Sequence, residues 1–238
     1  MIKRRKRVNG YSLVELLVAT ILFTIIAGTV FSLLLSAQLR YRGDSDVTAA
    51  FQQANVAIDQ ITRDVHSAGY PPPSSFAKDV VSVNPKLVAL PFSWSSGYPN
   101  APCTVGGGCG AVPGDYDLIL ETDLGDGNGV QWIRYSLQGT TLMRGITTKT
   151  LDDPVTSTSG AVLAPYLDNV QNGPGNKSLP IFSYGYDCIN PPPPPQPSNI
   201  CKVNIMLIVQ SAQPDPQTGQ FRTITLTGQA ARFNNPNN

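Results

Sequence analysis

The chain has 238 residues, enough for one ordinary domain beyond a long helix, and only 14% of them are charged, for a formal net charge of +1. Gly and Pro contribute 21 residues each, a composition that favours turns, loops and short strands over helix. The charge is unevenly placed: five cations lie in the first seven residues, leaving 12 Lys+Arg against 16 Asp+Glu elsewhere, a net of −4 that argues against a nucleic-acid partner held through its phosphates.

The first element is a basic leader, residues 1–10, with Lys3, Arg4, Arg5, Lys6 and Arg7 ahead of Gly10. Residues 11–39 follow as an apolar segment. From Leu16 to Leu39 there are 24 residues without a charge, roughly 36 Å of helix at 1.5 Å per residue and long enough to cross a bilayer. The positive-inside rule keeps the leader in the cytoplasm and exports everything after Leu39. Glu15 stands at the mouth of the segment, where a carboxylate is costly and usually functional. A secretory signal places its small-residue cleavage site after the apolar core; here the small residue, Gly10, lies before it.

Residues 40–69 keep a helical pattern of a different kind. Val47, Phe51, Ala54, Ile58, Ile61 and Val65 form one apolar stripe, with Gln52, Gln53, Asn55, Asp59 and Arg63 on the other faces. The pattern predicts a single helix from about Ser12 to about Ser67, ended by Gly69 and the prolines Pro71 to Pro73. Two readings of the stripe compete: a coiled coil with another protein, or packing against the chain's own sheet, the more ordinary outcome.

Residues 70–238 read as a β-rich globular domain. Candidate strands are Tyr116 to Leu120, Val130 to Leu137, Thr140 to Ile146, Ile181 to Tyr186, Val203 to Gln210 and Thr223 to Phe233, the second and third forming a hairpin around Gln138-Gly139. Short connections between consecutive strands predict a mainly antiparallel sheet and an α+β fold, a long N-terminal helix packed on that sheet. Residues 74–114 and 147–178 read as long loops, and the tail Asn234 to Asn238 as frayed. Cys103, Cys109, Cys188 and Cys201 are an even set in an exported domain, which favours disulfides. Three pairings are possible; the sequential one, 103–109 with 188–201, closes one short loop per pair. Each such loop contributes roughly 2–3 kcal/mol by loop entropy. The spacing and the lack of histidine support argue against a thiolate metal site.

The heptapeptide Gly10-Tyr11-Ser12-Leu13-Val14-Glu15-Leu16 behind a basic leader resembles the class III signal of type IV prepilins and pseudopilins. The family pattern is usually Gly-Phe-Thr-Leu-Ile-Glu; Tyr11, Ser12 and Val14 are mild departures. Asp64, Ala68, Gly69 and Tyr70 look like the Asp-x-x-x-Ala-Gly-[Tyr/Phe] segment of PilW-type minor pilins. The order Val130, Tyr135, Leu142-Met143-Arg144, then Leu167 to Val170 and Phe182 to Tyr184, is similar to PilW-type and J-type pseudopilin chains. The resemblance implies a pilin fold and cleavage between Gly10 and Tyr11 by a prepilin peptidase of the inner membrane. It also implies N-methylation of Tyr11, and a role for Glu15 in assembly through pairing with an N-terminal ammonium. The competing reading of Glu15 is a carboxylate that snorkels to water. Implied partners are other pilins or pseudopilins and the inner-membrane assembly platform, with the domain periplasmic or carried into a surface filament. The implied role is a minor pilin in pilus initiation or filament incorporation, with a J-type pseudopilin of a type II secretion system or an adhesion or DNA-uptake module as alternatives. Many major pilins carry a proline in the membrane helix. None occurs from Leu16 to Leu39, where Gly28 is the one weak point, and this leans toward a minor component.

Other chemistry is sparse. Asp123, Asp126 and Asn128 sit on a Gly-rich loop that resembles a calcium loop, but the Asp-x-Asp-x-Asp-Gly spacing and the closing Glu are missing, so a plain turn is the better reading. His66, the one histidine, falls in the last helical turn, where a cation suits the dipole. No nucleophile elbow, phosphate loop or histidine cluster occurs. No enzyme activity and no cofactor are expected. The run Pro191 to Pro195 reads as a stiff exposed loop, and with the region 98–110 it is where partner contacts are expected.

Overall fold

Helix α1 runs unbroken from Leu13 to Ser67 in the computed structural model, which describes residues 12–77, 84–93, 114–152, 154–173, 179–186 and 199–233. The leader, Cys103, Cys109, Cys188, the proline run and the tail lie outside the described residues. From Ser12 to Arg42 every helical residue is exposed. Beyond that point one face is buried, through Gly43, Ala50, Ala54, Ala57, Ile58, Ile61, Asp64 and Val65.

The β domain is two antiparallel sheets rather than one. The first has the order β1 (Asp117–Asp123), β2 (Val130–Gln138), β3 (Thr141–Thr148), β4 (Ala164–Leu167). The second has the order β5 (Phe182–Gly185), β6 (Lys202–Gln210), β7 (Thr223–Ala231). Strand β4 falls within a stretch expected to be loop; it has four residues, one of them Pro165, and a proline is tolerated there because β4 is an edge. The split arises because β5 covers only the start of β6. Farther along, the same side of β6 is taken by the segment after β4: Gln171 N donates to Ile208 O, Gln210 N to Asn169 O, and the buried Asn172 accepts from Ile208 N and donates to Met206 O. Backbone bonds from Ile181 N and Phe182 N to Asp115 O join β5 to the residues preceding β1.

The amphipathic half of α1 lies mainly on β7 and β6, so the stripe is used within the chain. The fit requires small residues. A Cβ on Gly228 of β7 would come within 2.6 Å of the Ile58 Cγ2. Phe51, expected in the stripe, is instead 47% exposed, and Ala50 takes the inward position because a phenyl ring would hold the helix off the sheet.

The end of α1 is sewn to the first sheet. Gly69 adopts φ +80°, reversing the chain past the Ala68 cap, and its N–H donates to Glu121 O at 2.8 Å. Thr122 Oγ1 donates to Ser67 O, and Asp123 N to Tyr70 O. Asp64, 3% exposed, accepts from Gln60 Nε2 at 2.8 Å, from the Tyr135 hydroxyl at 2.5 Å and from Arg144 Nη2 at 2.9 Å. Burial, and then the Asp64 charge, push the Tyr135 pKa well above its ordinary value. Burial also works against the Arg144 charge, but Tyr135 and Asp64 outweigh it and raise the guanidinium pKa. On the other face of the sheet a second carboxylate, Glu121, is fully buried and accepts from the Ser93 hydroxyl, Leu90 N, Trp132 Nε1 and Lys149 Nζ.

Asp64→Ala would strand Arg144 and Tyr135. It should cost about 3 kcal/mol, at the lower end for a broken buried pair because Arg144 is 19% exposed; denaturant unfolding of the full chain in detergent measures it. Alkaline pH gives a second expectation. A group whose folded pKa is raised contributes stability that is complete below its unfolded value, here about 10, and that is lost as pH rises toward the folded value. Tyr135 is such a group, whereas Lys149, lowered by burial against the pull of Glu121, acts in the opposite direction. The stability advantage of the parent over Tyr135→Phe should therefore shrink above about pH 10. An advantage constant through that range would place the hydroxyl outside the titrating network.

Candidate functional site

The N-terminus of α1 is built as a capping box. Ser12 is the extended N-cap (φ −71°, ψ 145°), its Oγ accepts from Val14 N at 3.4 Å, and Glu15 Oε2 accepts from Ser12 N at 3.0 Å. Glu15 thus satisfies one of the helix's orphan donors and places a negative charge where the dipole favours it. The box uses Oε2 alone of the two oxygens. A shallow groove beside Glu15 is lined by Leu16, Ala19, Thr20 and Phe23.

The helix above this cap is suited to an apolar solvent. Leu17, Val18, Ile21, Leu22, Phe23, Ile25 and Ile26 are all at least half exposed, which in water would leave a large apolar surface uncovered. The three threonines of its apolar half are satisfied inside the helix: the hydroxyls of Thr20, Thr24 and Thr29 donate to the carbonyls of Leu17, Ile21 and Ile26 at 2.8–2.9 Å. This is a helix long and apolar enough to cross a membrane.

Residues 5–31 match the prokaryotic N-terminal methylation motif. The match spans the end of the leader, Gly10, Tyr11, Glu15 and two thirds of the apolar run, and it supports a type IV pilin-like or pseudopilin-like role. The motif implies processing by prepilin peptidase and assembly with other pilins, and together with the long apolar helix it is consistent with membrane anchoring. No curated protein and no solved structure matches the chain. The long apolar helix with antiparallel sheets is an α+β arrangement consistent with the pilin fold.

The remaining candidate residues of this pilin-like chain are dispersed. Gly10 and Tyr11 lie outside the described residues. Cys201 is buried just before β6, and its three fellow cysteines lie outside the described residues. The Gly-rich loop between β1 and β2 holds its own side chains. Asp123 Oδ1 accepts from Gly125 N, and Asp126 accepts from Asn128 N, Asn128 Nδ2 and Gln131 Nε2 at 2.7–3.0 Å. Those bonds, the one from Asn128 N foremost, hold the Asp126 carboxyl below its ordinary pKa. No group of three or more metal-type side chains occurs among the described residues. His66 packs against Phe233, the rings tilted by 45° with centroids 4.7 Å apart.

Three residues noted in separate segments of the sequence, Asp64, Tyr135 and Arg144, meet in one cluster. Their spacing, 71 and 80 residues from Asp64, hides this from any local pattern. The Glu121 cluster was missed as well; the one sequence signal was a carboxylate directly after the apolar run Leu118-Ile119-Leu120.

Because the loop carboxylates are already bonded to the loop itself, the melting temperature should be the same in calcium and in chelator. Asp126→Ala should loosen the β1–β2 hairpin and lower the melting temperature slightly, through its lost hydrogen bonds. A calcium-dependent rise of several degrees, abolished by that substitution, would instead make the loop a metal site.

Proposed function

We propose that the chain is a minor pilin-like subunit, of the PilW type, that takes part in type IV pilus assembly. On this reading the peptidase cuts after Gly10, Tyr11 becomes the methylated N-terminus, and Glu15 pairs with an N-terminal ammonium as the apolar helices gather in a filament. The chain resides in the inner membrane as a single-pass protein until assembly, its β domain on the periplasmic side, and its partners are other minor pilins and the assembly platform. The observation that carries the reading is the methylation motif over residues 5–31, whose apolar part is the start of an unbroken 55-residue helix with its first half wholly exposed. The unbroken helix lets the apolar half slide against neighbours while the β domain stays fixed to the other half. The exposed Tyr41, Phe51 and Val56 continue the available surface above the membrane.

The PilW subtype has support from Asp64, Gly69 and Tyr70. Asp64 forms the lock to Tyr135 and Arg144, Gly69 makes the left-handed turn, and Tyr70 O binds β1, so each residue of that segment has a physical task. The same tasks would serve a J-type pseudopilin, which is the alternative. We further propose disulfides 103–109 and 188–201, the pairing in which each bond closes one short loop.

Intact-mass and N-terminal analysis of the membrane-extracted protein, with and without prepilin peptidase, tests the reading. The expected product begins at methylated Tyr11 only when the peptidase is present. A chain that still begins at Met1 would reduce it to an unprocessed anchor. Pull-down of pilus rather than secretion-system components then separates the two subunit classes.

A further inference from the structure

We propose that the hairpin loop between β6 and β7, residues 211–222, rests in the headgroup layer of the membrane, with the lipid surface as its partner. The proposal depends on membrane anchoring of α1 and not on processing or assembly.

Strand β7 and α1 run side by side in the same direction. Arg222 Nη1 donates to Asp44 Oδ1 at 2.9 Å, Gly228 lies against Ile58, and Phe233 N donates to His66 O. The β6–β7 loop is therefore at the end of the domain nearest the apolar half of the helix. The loop is also held there. Pro216 packs against the helix at Gly43, its Cδ 3.5 Å from where a Cβ on Gly43 would stand, an ordinary van der Waals distance. Asp215 accepts from Gln217 N and from Arg222, which raises the Arg222 pKa and lowers that of Asp215, so the loop's charges are mutually satisfied.

The helix sets the height of this contact. Gly43 is four residues beyond Leu39, the last residue of the uncharged run, or about 6 Å along the axis. The polar layer on each side of a bilayer is about 5–8 Å thick. With the hydrocarbon boundary near Leu39, a loop packed on Gly43 cannot stand clear of the headgroups. The side chains at this level suit such a layer. Tyr41 is 76% exposed and Phe221 49%, and aromatic rings partition to this depth. Arg40 and Arg42 are exposed on the helix between Leu39 and the loop, where they meet lipid phosphates. Apart from Arg222 and Asp215, which pair with each other, the loop carries only uncharged residues.

The test uses the full chain in phosphatidylethanolamine–phosphatidylglycerol vesicles carrying a nitroxide on a fraction of the headgroups. Phe221→Trp places a reporter on the loop, Gln217→Trp repeats it, and Phe233→Trp, about 33 Å higher along the helix, is the distal control. The parent signal from Trp94 and Trp132 is subtracted. The emission added at 221 and 217 should lose most of its intensity, and that at 233 should keep it. Unquenched reporters on a chain that floats with the vesicles would overturn the headgroup contact alone. Equal quenching at 221 and 233 would overturn it too, since the domain would then lie on its side. A chain that fails to float would overturn the anchoring, and this proposal with it.

Discussion

The fold depends on one buried carboxylate, Asp64, at the last turn of the long helix. A carboxylate at 3% exposure is tolerable only when its hydrogen-bonding capacity is met inside the protein. Gln60, Tyr135 and Arg144 meet it, and two of the three come from the first sheet. The apolar contacts between α1 and the second sheet add to the register through the close fit of Ile58 against Gly228, but they carry no charge that must be matched. The Asp64 cluster cannot slide. It sets where along the helix the domain sits, and hence how far the domain stands from the apolar half.

That setting has mechanical consequences because α1 is continuous. A break at the junction near Arg42 would uncouple the domain from the membrane segment. Instead the helix is clasped there by Pro216 and Arg222 at the start of the buried face and by Asp64 at its end. The clasped stretch runs from Gly43 to Asp64, roughly 31 Å at 1.5 Å per residue. Over that length the small residues Ala50, Ala54 and Ala57 let the backbone approach the sheet closely enough for Gly228 to be needed opposite Ile58. Helix and domain therefore move as one body, and the free part of the molecule is the exposed apolar half.

The sequence exposed some of this plainly. Helix limits were legible because the signals are local: the charge-free apolar run behind the basic leader at one end, Gly69 with the prolines at the other. Six of the seven strands were legible from their apolar runs. The seventh, β4, was not, because Ala164-Pro165-Tyr166-Leu167 becomes a strand only by lying beside β3. The division into two sheets was hidden for the same reason: it is decided by which segment reaches each part of β6. Phe51 was misplaced because a hydrophobic pattern rewards the largest side chains, whereas a helix packed flat on a sheet selects the smallest. Glu15 stood out as a charge in an apolar context. Glu121 sits in a similar context, but only its distant donors Ser93 and Lys149 show it to be a structural residue.

The same comparison separates the acids by need. Asp64 accepts from three side chains and Glu121 from four donors, so neither requires anything from outside the chain. In its capping box Glu15 accepts one backbone N–H, at the exposed start of the helix. That bond suffices while the carboxylate is near water. It does not suffice in an apolar assembly, where the desolvation cost of an ionised carboxylate is several kcal/mol and one hydrogen bond returns about 1.5–3 kcal/mol. Any packing that buries this end of α1 must bring a cation to Glu15 or leave a large penalty. On the proposed reading the residue would act as a condition on assembly: helices arriving without a positive group at this level would be disfavoured, and those supplying one would be held at a defined axial position.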